Sequence, residues 1–123
     1  MELALQIVFG ISALICLFQG VSLLIKGVSS FLPEGTPSQP ILDNVFRFLS
    51  GMHFGIAFLL IWIVVHIHET QELNYFIGIL ILCAGLGRLY SRIHLGSAGK
   101  KFDRIMLMEI MLALFIILLQ YVR

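Results

Sequence analysis

Charge is scarce in this chain. Only 12% of its 123 residues are Asp, Glu, Lys or Arg, against 59% that are apolar, whereas a soluble domain carries about 25% charged residues. That shortage excludes a water-soluble globular domain, and the mean hydropathy of +1.02 makes lipid the natural solvent. Cysteine is sparser still. Cys16 and Cys83 each fall in the middle of an apolar segment, which leaves no disulfide framework or zinc spacing and reads them as small packing residues. Missing too are a glycine-rich phosphate loop, a nucleophile elbow and any nucleic-acid motif. An enzyme would have to be built from the few polar residues inside the apolar runs.

Those runs are what the sequence has in abundance. One span takes roughly 20 apolar residues to cross ~30 Å of hydrocarbon, so four spans with short connections use nearly the whole length. The run starting at Leu3 has no basic leader and no small-x-small cleavage site followed by soluble sequence, so it is expected to be a retained span. The expected fold is one all-α domain, an integral-membrane four-helix up-down bundle with spans near 3–26, 43–68, 73–95 and 102–121. Gly27 is expected to end the first helix, and Pro33, Gly35, Pro37 and Pro40 make the longest loop. Asp43 is the expected N-cap of the second helix, the polar string from His66 to Glu72 forms a turn, and Gly96 stops the third helix.

Small residues suggest where helices meet. Ala13, Gly20 and Gly27 recur every seventh position, and Gly51 and Gly55 are four apart, spacings that predict close helix contacts. Trp62, Tyr75 and Tyr121 suit the headgroup level.

Every expected span also carries a polar residue at depth. With up-down connectivity, Gln19 and Arg88 each lie ~12 Å before the end of their helix, while Arg47 and Glu109 lie ~6–9 Å past the start of theirs. A charge near a helix centre costs roughly 2.5–3.5 kcal/mol, so these groups are expected to face the bundle interior. Arg88 and Glu109 make the natural pair. Asn44 shares the face of Arg47, and Ser91 that of Arg88.

A register-fixing ion pair would account for Arg88 and Glu109 alone. Arg47 then leaves one cation in excess, and helix N-termini on the same side add positive potential. Both features point to an anionic guest, a lipid phosphate or a fatty-acid carboxylate, with Arg47 as the ligand-facing cation. The expected site is Gln19, Asn44, Arg47, Arg88, Ser91 and Glu109, with Lys100, Lys101 and Arg104 attracting the same groups at the surface. No metal or other cofactor is expected. His66 and His68 alternate on a helix and do not share a face, and Met106, Met108 and Met111 read as apolar filling.

Phe46-Arg47-Phe48-Leu49-Ser50-Gly51, Gly87-Arg88-Leu89-Tyr90-Ser91 and the lone Glu109, in that order, resemble the pattern of a bacterial four-helix membrane family, a domain of unknown function (4345). The resemblance covers nearly the full chain. It implies a small inner-membrane protein and names positions rather than an activity. It also implies a polar layer opening to the periplasm, whereas Lys26, Arg92, Lys100, Lys101 and Arg104 by count favour cytoplasmic loops 1 and 3.

The functional expectation is a non-enzymatic envelope protein that binds membrane lipid or another amphipathic anion. A proton-coupled exporter using Glu109 is the first alternative, although helix 1 carries only Gln19 at depth. A membrane enzyme or redox subunit acting on quinone or lipid is another, without an evident nucleophile. A homo-oligomer or a larger complex is compatible with the pattern, and nucleic acid is not an expected partner.

Overall fold

The chain is an all-α, multi-pass membrane protein. The computed structural model describes residues 1–123 as α1 (Glu2–Lys26), a short 3₁₀ turn (Gly27–Phe31), α2 (Pro40–Val65), α3 (Gln71–Leu95) and α4 (Lys100–Val122). Each of the four helices is long and apolar enough to cross a bilayer. Large apolar side chains such as Phe18, Phe58, Phe76 and Met111 are exposed, as lipid-facing groups are. The chain forms two compact units, Ile7–Val65 and the segment His66–Arg123 together with Met1–Gln6.

Within Ile7–Val65, the ends of α1 and α2 are locked by a polar clasp. Gly27 has φ +59°, a backbone that favours glycine and turns the chain out of α1. A Cβ there would overlap the Asp43 carboxylate. Asp43 is not the N-cap of α2. The helix starts three residues earlier, at Pro40, a position where the missing N–H costs nothing. The Asp43 carboxylate instead lies in the first turn, accepting the Val28 backbone N–H at 3.1 Å and the Arg47 Nε at 2.7 Å. One turn further along, the buried Ser50 hydroxyl donates to the Gly20 carbonyl at 2.7 Å. Gly20 itself admits the Phe54 ring, which a Cβ would meet at 3.3 Å.

Gly51 and Gly55 have a different role from the one expected. A Cβ at either would meet nothing within 4 Å, so they mediate no close contact within the protein. The glycines that do are Gly78 and Gly85 on α3, seven residues apart. A Cβ on Gly78 would come to 2.7 Å from Ile117 Cγ1, and one on Gly85 to 2.7 Å from Ile110 Cγ1 and 3.3 Å from the Ile110 backbone N.

Those contacts belong to an antiparallel α3–α4 hairpin. Its partners step in opposite directions along the two helices: Asn74 with Gln120, Gly78 with Ile117, Gly85 with Ile110, Arg88 with Glu109 and Arg92 with Asp103. On α3 these seam residues are four, seven, three and four positions apart, intervals that keep them on one face of the helix. Gly96 ends α3 as expected, with φ +87° and its N–H donating to the Arg92 carbonyl.

Candidate functional site

The expected site residues fall into two groups, one in each unit. In Ile7–Val65, Arg47 and Asn44 line a cavity of about 620 Å³ walled by the 3₁₀ turn, the proline-bearing loop and the start of α2. Arg47 is largely committed to the protein. Its Nε donates to Asp43 and its Nη1 to the Leu24 carbonyl at 2.6 Å, satisfying a backbone oxygen at the end of α1 that has no helical donor left. The cavity wall also carries Asp43 and Glu34. The expected excess of positive charge at Arg47 therefore does not exist, because Asp43 neutralises it four residues away. Gln19 is half-buried on α1 and makes no hydrogen bond within the protein.

In the other unit, Arg88 Nε donates to Glu109 Oε2 at 2.9 Å. This pair has a neighbour that sequence reasoning did not place in the site. One turn further along α3, Arg92 Nε donates to Asp103 Oδ1 at 3.1 Å, while the Ser97 hydroxyl donates to Asp103 Oδ2 at 2.7 Å. Arg88, Ser91, Arg92, Gly96, Ala98, Phe102, Asp103 and Met106 line a small, partly open cavity of about 110 Å³. Its volume is of the order of a single phosphate or carboxylate group.

Two features give the cavity its chemistry. Each arginine holds its carboxylate through Nε alone, so the paired Nη donors of Arg88 and Arg92 have no protein acceptor, and the Ser91 hydroxyl is likewise unused. Charge is also unbalanced. Arg88, Arg92, Lys100, Lys101 and Arg104 gather at this end of the hairpin against Asp103 and Glu109, five cations to two carboxylates. The surplus of cations sits at the α3–α4 turn and not at Arg47. Arg92 was legible as an i, i+4 companion of Arg88 with Ser91 between them.

A second polar network, at the opposite end of the hairpin, was not anticipated. The buried Asn74 donates Nδ2 to Gln120 Oε1 at 2.9 Å, and its own Oδ1 has no partner. Arg123 has a side chain only 9% exposed. Its Nη2 donates to Glu2 Oε1 at 2.8 Å and to the Ile67 carbonyl at 2.7 Å, with Nη1 at 3.5 Å from Gln120 Oε1. His68 Nδ1 lies 2.8 Å from the other Glu2 oxygen. Asn74 and Gln120 read in the sequence as ordinary polar residues near helix ends, and their pairing across 46 residues had no local signal.

Residues 4–120 match the family described as Domain of unknown function (DUF4345), and the chain belongs to that family. No curated protein and no solved structure matches it.

Proposed function

We propose that the protein is a non-enzymatic, multi-pass protein of the bacterial inner membrane that binds the headgroup of an amphipathic anion, a phospholipid above all, in support of envelope or lipid homeostasis. The observation that carries this reading is the pair of unspent arginine forks. Nη donors of Arg88 and Arg92 and the Ser91 hydroxyl surround a cavity the size of a phosphate, at a helix end with surplus positive charge. A phosphate with two guanidinium groups within reach gains charge-assisted hydrogen bonds in a fork geometry that water reproduces poorly. Acyl chains would remain in the surrounding lipid, beside the exposed apolar side chains of the helices.

Glu109 and Asp103 have a supporting part in this arrangement. By holding each Nε, they fix the guanidinium planes before a ligand arrives, which limits the ordering cost of binding. The test is native mass spectrometry of the protein released from lipid nanodiscs. Ser91→Ala with Arg92→Gln removes one fork and the hydroxyl, while Arg88 keeps its partner. Retention of anionic phospholipid is expected to fall by about tenfold or more, in line with ~1.5–3 kcal/mol for a charged hydrogen bond. Unchanged retention in a variant with wild-type helicity would remove the basis of the proposal.

A further inference from the structure

The far end of the same hairpin holds a second cavity with the opposite electrostatic character. It measures about 530 Å³ and is lined by Glu2, His68, Gln71, Glu72, Tyr75, Gln120, Tyr121 and Arg123, a size within the usual range for small-molecule sites. Its one permanent cation is not available to a guest. Arg123 is almost wholly buried and spends its Nη groups on Glu2, Ile67 and Gln120. Arg123 and Glu2 thus cancel each other. What remains on the wall is the Glu72 carboxylate, which has no ion-pair or hydrogen-bond partner in the protein, together with the Gln71 amide, two tyrosines and the His68 ring, whose Nδ1 is engaged by Glu2.

We propose that this cavity binds an organic cation of the quaternary ammonium class, with Glu72 as counter-ion and Tyr75 and Tyr121 as aromatic walls. A tetraalkylated nitrogen has no N–H to satisfy and a charge spread over methyl groups. It is therefore stabilised by a ring face and a nearby carboxylate without needing directed hydrogen bonds. A bare metal ion lacks the ligands it would need, because no three His, Cys, Asp or Glu side chains converge here. An anion would face Glu72 with the arginine already engaged. The ends of α3 and α4 supply the aromatic residues at the level where amphipathic rings are stable, so the site is open to a free cation or to a choline headgroup. This inference concerns a different cavity from the phosphate site and does not depend on it.

Saturation-transfer difference NMR on the full chain in detergent tests the proposal with choline as probe and 3,3-dimethylbutan-1-ol as its uncharged isostere. Saturable choline binding is expected, with the isostere at least about fivefold weaker, the factor an exposed charge pair of ~1 kcal/mol provides. Glu72→Gln, which keeps the shape of an exposed side chain, is expected to weaken choline by a similar factor. Tyr121→Leu should weaken it by about two- to fivefold. Glu34→Gln, which removes a carboxylate from the other unit, controls for net charge and should leave choline binding unchanged. Equal binding of choline and the isostere, no effect of Glu72→Gln, or the absence of saturable binding would each overturn the proposal. Competition by phosphatidylcholine added to the micelles would assign the cation to a lipid headgroup, and its failure to compete would assign it to a soluble ligand.

Discussion

Replacing Gly85 by alanine should destabilise the protein although alanine is the better helix former. In an exposed helix interior, Gly→Ala is favourable by up to about 1 kcal/mol. At Gly85 the new methyl would lie 2.7 Å from Ile110 Cγ1 and 3.3 Å from the Ile110 backbone nitrogen. The first contact is to a stiff, β-branched side chain and the second to a helix backbone, so neither can yield without separating α3 from α4. Overpacking of this kind costs about 1–3 kcal/mol. The net expectation is a loss of up to about 2 kcal/mol. At Gly51, where a Cβ meets nothing within 4 Å, the same substitution should be neutral or mildly stabilising.

The paired variants separate packing from propensity, because the intrinsic helix term is common to both. Mixed-micelle unfolding in SDS, followed by far-UV circular dichroism, measures the difference. Tryptophan fluorescence would be a poor reporter, since the single tryptophan, Trp62, lies on α2, outside the unit that holds the hairpin. A double-mutant cycle with Ile110→Ala adds a check, because removing Cγ1 should relieve part of the Gly85→Ala penalty and give a coupling of about 1 kcal/mol or more. Equal midpoint shifts for Gly85→Ala and Gly51→Ala, or a cycle with no coupling, would refute the close approach of α3 and α4.

Other substitutions probe the polar contacts. Gly27→Ala should lower the thermal midpoint, because it places a side chain at φ +59° and displaces Asp43 from Val28; strain at such a site costs about 1–3 kcal/mol. Arg47→Ala should likewise reduce stability, by freeing the Leu24 carbonyl and Asp43, with lipid retention in native mass spectrometry nearly unchanged; a selective loss of lipid would return Arg47 to the ligand site. Glu109→Leu should be more destabilising in SDS titration than Arg88→Leu combined with Glu109→Leu, since an unpaired charge at depth costs roughly 2.5–3.5 kcal/mol. Asn74→Ala leaves Gln120 Oε1 with only its long contact to Arg123 Nη1 and should cost about 1–3 kcal/mol in the same assay.

The membrane class, the four helices and the helix stop at Gly96 were legible because each depends on local chemistry: apolar length, turn residues and a glycine with positive φ. The Arg88–Glu109 contact was legible as well, because charges at depth need partners and few were on offer. The difference at Arg47 has an equally physical origin. An aspartate ahead of an apolar run has the chemistry of a cap, yet with α2 beginning at Pro40 the Asp43 carboxylate falls inside the first turn, four residues from Arg47 and within reach of it. Gly51 and Gly55 depart from expectation because glycine spacing records which face of a helix is small, not whether anything approaches it. The network of Asn74, Gln120, Arg123 and Glu2 joins residues from near both chain termini to the first turn of α3, so no short-range pattern could disclose it.

The seam of the hairpin assigns distinct work to its glycines and its polar pairs. Between helices in lipid there is little hydrophobic drive, and close packing favours whatever register brings small residues against large ones. Gly78 and Gly85 are seven residues apart, as are their partners Ile117 and Ile110. A slip of seven positions would still set one glycine against an isoleucine, so glycine packing loses only one of its two contacts. The polar contacts discriminate more sharply. The same slip would part Asn74 from Gln120, Arg88 from Glu109 and Arg92 from Asp103 together, leaving six polar side chains to find new partners or face lipid. Polar residues that fix register in this way have precedent in coiled coils, where one buried asparagine suffices. The register they select is also the one that places Arg88 and Arg92 around the same small cavity, so the pairs that set the alignment of α3 and α4 also shape the proposed anion site.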